Sequence, residues 1–398
     1  MTNVRKTSQS EPVVRFKGFT DVWEKRKLGE VAEFLNGRAY KQNELLDNGK
    51  YPVLRVGNFN TNDKWYYSDL ELPEKNYANE GDLLYTWATA FGPHIWHGQK
   101  VIYHYHIWKV NLSDVLEKDF TVQLLRADQE QMTNNLNGST MVHITKGTME
   151  KKVVTIPNII EQSKLGTLFA KLDNLIAVNQ RRTDNLQKLK KALLQRMFVS
   201  GDNGIPAVRF TGFTDVWEKR KLSDVYMKNT ERNNGQFGVE RTISIANMYF
   251  KQSGNGADDK SLGTYKVLRV GDIAFEGNRS KDFSYGRMVM NDIGDGIMSP
   301  RFTTLRPLHE QVISFWKVLI HYEPIMRYVL VRSTKKGTMM NELVVEDFMK
   351  NSIQVPAKEE QTKIGTFFAT LDNLIAVNQR KVELLKKLKQ SYLQKMFV

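Results

Sequence analysis

The decapeptide Leu-Asp-Asn-Leu-Ile-Ala-Val-Asn-Gln-Arg stands at residues 172–181 and returns, letter for letter, at 371–380. An identity of that length makes the chain one architecture written twice in tandem. Working outward, each half opens on a matched stretch: Pro12 to Leu28 reads PVVRFKGFTDVWEKRKL and Pro206 to Leu222 reads PAVRFTGFTDVWEKRKL, at an offset of 194. Each half closes on a matched helical segment. Between these ends, residues 32–145 and 226–335 share only sparse signs: Gly81-Asp82 with Gly271-Asp272, and Lys146-Gly147-Thr148-Met149 with Lys336-Gly337-Thr338-Met339, both at offset 190. The Tyr-x-Val-Leu-Arg-Val-Gly strings at 51–57 and 265–271 lie at offset 214, which fits neither register, so they are not read as a repeat.

The repeated decapeptide belongs to an apolar stripe: Leu165, Leu168, Leu172, Leu175, Asn179, Arg182, Leu186, Leu189, Leu193. The second copy runs Ile364, Phe367, Leu371, Leu374, Asn378, Lys381, Leu385, Leu388, Tyr392. Spacings alternating three and four predict a coiled-coil seam, and two such stripes most simply bury each other as long antiparallel helices of roughly 60 Å. Asn179 and Asn378 sit mid-helix, so an antiparallel pair would bring their amides together and fix register. The alternative is that both are exposed where the stripe drifts. On the first reading Asn179→Leu raises thermal stability and loosens register, and spin labels near 165 and 392 report a short distance. Lys164, Lys171, Arg181, Arg182, Lys188, Lys190, Lys191 and Arg196 occupy the outer faces, either as solvated charge or as contacts to nucleic acid or a partner.

With 398 residues and 41% hydrophobic content the chain is long enough for two cored domains. Its formal charge of +14 favours a polyanionic partner. The absence of cysteine excludes disulfides, thiolate nucleophiles and cysteine-bound metal centres. The N-terminus lacks an apolar segment of signal-peptide length and no apolar run reaches transmembrane length, so a soluble cytoplasmic protein is expected.

The divergent inserts read as short strands plus a helix. Strands are expected at Tyr51–Val56, Asp82–Trp87 and Lys100–Val110, with a helix around Asp114–Asp128. The second insert predicts strands at Arg241–Ala246, Tyr265–Phe275, Arg287–Asn291 and Ile297–Arg306, a hairpin turn at Asp295-Gly296, and a helix Glu310–Tyr322 ended near Pro324. Their loops are rich in side chains that read base edges or hold phosphates. Arg38, Lys41, Asn58, Asn60, Thr61, Lys64, Trp65, Trp87 and Thr89 are the candidates in the first. Arg232, Asn233, Asn234, Gln236, Arg241, Asn247, Asn278, Arg279, Ser280, Lys281, Ser299 and Arg301 are those in the second. Trp23 and Trp217, in the matched frame, are expected to pack.

No catalytic constellation emerges. His94, His97, His104 and His106 cluster, but His104 and His106 would share one strand face with Ile102, Trp108 and Val110, which is ordinary alternation, and no carboxylate at metal-ligand spacing accompanies them. Walker A, glycine-rich dinucleotide, Gly-x-Ser-x-Gly and Asn-Pro-Pro-aromatic or Asp-Pro-Pro-aromatic motifs are all missing. The expectation is a non-catalytic binding protein with no metal site.

The frame Arg-Phe-x-Gly-Phe-x-x-x-Trp-Glu-x-x-x-Leu at 15–28 and 209–222, Glu-Gln at 161–162 and 360–361, the Leu-Asp-x-x-Ile segments and the Met-Phe-Val helix ends together resemble the specificity subunit of type I restriction-modification enzymes, over essentially the whole chain. The resemblance implies an α+β fold with an internal pseudo-two-fold repeat. Two target-recognition domains, 1–158 and 200–357, would alternate with conserved helices 159–199 and 358–398. It implies reading of a bipartite, asymmetric double-stranded DNA site, with the helix pair as ruler for the spacer. It also implies two modification (methyltransferase) subunits and two ATP-dependent motor-nuclease restriction subunits docked on this chain. S-adenosylmethionine, ATP and Mg2+ would be used on those subunits, none on this one. Half-sites about 34 Å apart suit domains carried by a ~60 Å rod.

By the repeat's symmetry, Pro12–Val31 should pack beside Met396–Val398. From Gly147 to Pro157 the first copy is shorter than from Gly337 to Pro356, so its junction to the helix is expected to be tighter or differently angled. The rival readings are a recognition chain of another restriction-methylation system, a nuclease or methyltransferase in its own right, and a non-specific basic coiled-coil or RNA-binding scaffold.

Overall fold

The computed structural model describes residues 11–59, 62–88, 91–135, 144–199, 201, 203–254, 256, 259–337 and 340–397. The first repeat runs β1 (Glu24–Lys27), α1 (Leu28–Val31), β2 (Ala32–Asn36), β3 (Tyr51–Leu54), β4 (Tyr66–Ser68), β5 (Tyr77–Ala78), β6 (Leu83–Thr86), β7 (Gly92–Ile95), β8 (Val101–Tyr103) and β9 (Ile107–Leu112). It continues through α2 (Lys118–Asn135), α3 (Lys146–Lys151) and β10 (Val153–Ile156) to the long helix α4 (Ile159–Met197). The second runs β11 (Glu218–Lys221), β12 (Tyr226–Lys228), β13 (Ile243–Ser244), β14 (Tyr249–Phe250), α5 (Asp259–Leu262), β15 (Lys266–Leu268), β16 (Ile273–Glu276), β17 (Arg287–Met290), β18 (Gly296–Met298) and β19 (Thr303–Pro307). After α6 (Ile313–His321) and α7 (Glu323–Ser333) come β20 (Thr334–Lys336), β21 (Asn341–Leu343), α8 (Val345–Lys350), β22 (Ser352–Val355) and the second long helix α9 (Lys358–Met396). Among the described residues no helix is long and apolar enough to cross a membrane.

Although the two inserts share almost no sequence, both build one antiparallel sheet: β2-β9-β6-β7 in the first, β12-β19-β16-β17 in the second. Gly81 and Gly271 explain the sparse Gly-Asp signal. Both hold positive φ, +84° and +92°, a conformation glycine adopts without Cβ strain. The aspartate that follows then accepts a backbone N–H three residues upstream, from Asn79 and Arg269. The two Tyr-x-Val-Leu-Arg-Val-Gly strings occupy different places: the first forms β3, parallel to β8, whereas the second forms β15, antiparallel to β18.

Several expected strands are broken where the chain leaves one sheet for another. Lys100–Val110 divides into β8 and β9 around a turn at His104–His106, so these histidines do not share a strand face. Tyr265–Phe275 breaks at the Gly271 turn, and Ile297–Arg306 breaks at Ser299–Phe302. Asp295-Gly296 is not a hairpin turn, because β17 pairs with β16 while β18 pairs with β15. The first insert's helix is Lys118–Asn135, later than expected, and Pro324 starts α7 instead of merely ending a helix.

The Lys-Gly-Thr-Met strings are also not equivalents. The first lies on α3, while Lys336 ends β20, Gly337 follows it, and Thr338 and Met339 fall outside the described residues. The true counterpart of α3 is α8, and α3, β10 and α4 all precede α8, β22 and α9 by 199 residues. The junction before the long helix is therefore the same in both halves, and the extra residues of the second copy lie upstream, at the β20–β21 hairpin.

The chain forms two compact units, Met1–Gln180 with Arg380–Val398, and Arg181–Gln379. In the first unit the start of α4 packs antiparallel to the end of α9, with Leu165, Phe169 and Leu172 in one cluster with Leu385, Tyr392, Leu393 and Met396. The second unit repeats this with the end of α4 and the start of α9, Met197 and Phe198 against Ile364 and Phe368. Val14 N–H donates to Lys395 O at 2.9 Å and Val208 N–H to Arg196 O at 2.8 Å, so each frame segment is stitched to the end of a long helix as the repeat requires.

The seam itself differs from the expected one at alternate positions. Residues 165, 172, 179, 186 and 193 do face inward, but their partners are Phe169, Ile176, Thr183 and Lys190, while Leu175, Arg182 and Leu189 are exposed. In α9 the inward set is Phe368, Ile375, Val382 and Lys389, while Leu374, Lys381 and Leu388 are exposed. Both registers alternate three and four. Leucine content favours the one, whereas the fold selects the other because the α2 and α6 side of each helix must bury Phe169 and Phe368.

Two further features of the matched ends have a packing cause. Glu161 and Glu360, each 1% exposed, receive bidentate forks from Arg15 and Arg209 at 2.7–2.8 Å. The Arg-Phe frame and the Glu-Gln string are thus two ends of one buried ion pair, made once in each unit. Gln162 and Gln361 donate to the carbonyls of Pro157 and Pro356, closing the first turn of each long helix. Trp23 and Trp217 lie in the cores at 3% and 2% exposure.

Candidate nucleic-acid interface

In each unit an exposed turn carries the chain from another sheet into the last strand of the core sheet to be laid down, His104–His106 between β8 and β9 and Ser299–Phe302 between β18 and β19. The sheet ends fix these turns, because β8 and β9 pair with different partners. Expected site residues gather beside them.

In the first unit Arg38 forms a bridge with His104, but its guanidinium is clamped on Glu44 at 2.7 and 3.1 Å. Trp87 donates its indole N–H to Tyr105 O and stacks on Trp108 at 6.0 Å. Tyr105 and His106 were not among the expected residues, yet they occupy the tip, with Tyr105 39% exposed. Burial lowers His104 to about 4, with neighbouring His106 and Arg55 adding to the effect, so near neutral pH its ring is uncharged. The tip of this face is aromatic, with Tyr105 packed against the His104 and His106 rings.

Lys41 is exposed one turn before Glu44. A second group lies apart: Asn58 accepts from Arg55 N and donates to the carbonyls of Asn62 and Lys64, so its amide shapes the loop. Lys64 lies over Tyr66, and Trp65 packs on Trp96. Asn60, Thr61 and Thr89 lie outside the described residues.

The second unit presents a different chemistry. Arg232 bridges to Lys266 and donates to Thr264 O at 2.6 Å. Arg301 lies over Phe302, whose carbonyl accepts from Lys266 at 2.6 Å. Ser299, on the same turn, is half-buried. Asn233 is turned inward at 2% exposure and bonded to Phe237 and Leu262, so it shapes the loop. Asn234, at φ +46°, is exposed beside it, and Gln236 accepts from Arg269.

Arg241 stacks over Phe250, and Asn247 is exposed at the tip between β13 and β14. Arg279, Ser280 and Lys281 form a third exposed group with Asn278 between β16 and β17. Arg279 donates to Asn341 Oδ1 at 3.1 Å, so this group meets the β20–β21 hairpin with its Lys335 and Lys336.

Beneath these loops an ion network braces the second sheet. Arg306 bonds Asp272 and Glu231, while Arg269 bonds Glu231 and Asp295. Burial raises the Asp272 carboxyl although Arg306 pulls it down. The first sheet has a comparable pair, Lys109 with Asp82 at 2.7 Å. Asn179 and Asn378 are buried, each donating to the carbonyl one helical turn earlier, Leu175 and Leu374. Lys190 and Lys389 are drawn partly into the seam by Asp372 and Asp173. Burial lowers the Lys389 ammonium against the pull of Asp173. Among the described residues no group of three or more His, Asp or Glu is placed to hold a metal ion.

A duplicated α+β frame, with unlike loops on two equivalent sheets and two 39-residue helices, defines the class of recognition proteins built from a pair of specificity domains. The family model described as the type I restriction modification DNA specificity domain matches twice, at residues 20–188 and 215–387. The chain belongs to this family of type I restriction-modification specificity proteins. Two relatives from Methanocaldococcus jannaschii align over 92% of the chain. The type I restriction enzyme MjaVIII specificity subunit is 22% identical, with 90% of it covered. The putative type I restriction enzyme MjaX specificity subunit is 21% identical, with 91% covered. The crystal structure of a type I restriction-modification system S subunit from M. genitalium shares the fold, with a TM-score of 0.65 at 13% identity over 98% of this chain and 99% of that one.

Proposed function

We propose that the chain is the non-catalytic specificity subunit of a type I restriction-modification assembly, reading a bipartite, asymmetric double-stranded DNA site. The observation that carries this reading is the pairing of one repeated sheet with two unlike loop sets: a turn crowded with aromatic rings in the first unit and a cationic one in the second. Equivalent frames with different chemistry suit two different half-sites, and the long helices suit the role of a spacer ruler. Arginine, lysine, asparagine and serine on the exposed loops supply base readout and phosphate contacts.

The proposal includes docking of two modification and two restriction subunits, which would carry the S-adenosylmethionine, ATP and Mg2+ chemistry. The exposed stripe of Leu175, Val178 and Leu189 on α4, repeated as Leu374, Val377 and Leu388 on α9, supports a helix-face contact for such partners. The test is selection from a randomised duplex pool, with the full chain coexpressed with its genomic neighbours. Two short, unlike motifs at one fixed spacing are expected. Strong binding without any motif contradicts the reading and leaves a basic scaffold.

A further inference from the structure

The second unit carries a cationic ridge that the matched frame does not provide. From Lys228 to Asn233 the backbone alternates. Lys228, Thr230 and Arg232 are exposed, while Asn229, Glu231 and Asn233 turn inward. Asn229 is fixed by bonds to Val267 O and Asp272, Asn233 by bonds to Phe237 and Leu262, and Glu231 is held by Arg269 and Arg306. The outer row is thereby left with its charge uncompensated. Lys266 joins it across the Arg232 bridge, anchored on Phe302 O, and Arg301 follows on the adjoining turn. None of these four cations forms an ion pair with a described residue.

Burial, reinforced by Arg232 and Lys228, lowers the Lys266 ammonium, as expected of cations gathered without an anion. Beside the first unit's turn, by contrast, Glu44 neutralises Arg38 and Asp82 neutralises Lys109, while Arg55 lies over the Tyr66 ring.

We propose that Lys228, Arg232, Lys266 and Arg301 form a phosphodiester track that grips the nucleic-acid backbone beside the second half-site, without reading bases. The inference rests on the DNA-recognition reading and sharpens it, since it assigns affinity and orientation to one unit and gives Arg232 and Arg301 a backbone role. Lys228 and Lys266 are new to the interface. A rigid ladder of like charge with no internal acid is costly unless a polyanion meets it, and backbone phosphates at regular spacing suit such a row.

The test uses the full chain and a fluorescent 40-base-pair duplex of mixed sequence, titrated over a range of KCl concentrations. Each cation that neutralises one phosphate contributes a slope of about −0.9 in log K against log salt. The exposed variants Lys228→Gln, Arg232→Gln and Arg301→Gln are therefore each expected to flatten the slope by about 0.9, with losses accumulating in the triple variant. Lys350→Gln, which removes an equal charge elsewhere, is expected to leave the slope unchanged. Thermal unfolding confirms that each variant folds, and Lys228→Gln, at an exposed position, carries the test if the others do not.

Pool selection with the triple variant is expected to return the wild-type motifs at lower affinity. Unchanged slopes overturn the proposal, and so does a changed base preference in either motif. If the wild-type chain enriches no motif, the DNA-specificity reading fails, while the salt slopes still decide whether the ridge holds phosphates.

Discussion

Removing one partner of the buried Arg209–Glu360 pair should be among the most damaging single changes in the second unit. Both nitrogens of the fork sit 2.7 Å from the carboxylate oxygens, and the two side chains are 13% and 1% exposed. Arg209→Met strands a desolvated carboxylate, at a cost of about 3–5 kcal/mol. Glu360→Gln strands the guanidinium, which water partly rescues because it lies nearer the surface, so its cost should fall about 1 kcal/mol lower. For a unit of this size about 1 kcal/mol moves Tm by roughly 2–4 °C, which makes the Arg209→Met shift about 10 °C. The double variant Arg209→Met with Glu360→Leu buries no unpaired charge and should recover at least half of the single-variant loss. Calorimetry and urea unfolding of the full chain give all four corners of the cycle, with the unaltered Arg15–Glu161 pair as an internal comparison. A double variant whose loss equals the sum of the single losses, with coupling below about 0.5 kcal/mol, would refute the claim that the frame and the Glu-Gln string act through one ion pair.

Other consequences can be measured on the same material. Gly365→Ala would place a methyl 2.6 Å from Phe315 N and 2.3 Å from Ser314 Oγ, so α9 and α6 must separate; a loss of about 1–3 kcal/mol is expected, repeated by Gly166→Ala in the first unit, and wild-type stability in both would contradict the close approach. His94 is lowered from 6.5 to about 4, by burial first and Arg126 second. The unfolded chain then binds the extra proton first, so stability should fall as pH drops from 6.5 towards 4, by up to ~3 kcal/mol, and His94→Gln should flatten that part of the profile. Ile176→Gln should cost about 1–3 kcal/mol, whereas Leu175→Gln, one residue away and 45% exposed, should cost less than about 0.5 kcal/mol yet weaken copurification of partner subunits. The reverse order of stabilities would restore the seam through Leu175.

What the sequence discloses is what repeats. The doubled decapeptide, the Trp-Glu frame and the helix ends locate the matched architecture, because identical segments must make identical contacts in both units. Periodicity finds the long helices but leaves alternate seam positions open. A residue three or four places after Leu172 satisfies the same spacing, and only the side that α2 and α6 cover decides for Ile176 over Leu175. Strand breaks at His104, Gly271 and Ser299 escape local reading for a related reason, since nothing in Ile297–Arg306 says that its two ends pair with different sheets.

The loop residues are the least legible. Arg38 and Asn233 have the composition of base readers, but partners that no local period ties to them, Glu44 across a short turn and Leu262 far along the chain, turn them to structural use. Conversely, the Lys228, Thr230, Arg232 alternation is visible in the sequence once the inward role of Glu231 is known, and that role depends on Arg306, far along the chain.

The most direct test of the central claim is a domain exchange scored by duplex selection. Residues 32–145 are replaced by the corresponding insert of a related specificity protein, leaving the second insert and both helices intact. One motif should change, while the other motif and the spacing between them stay as in the wild type. If both motifs change together, or the spacing shifts with the insert, the two units do not read independently and the two-headed account is wrong.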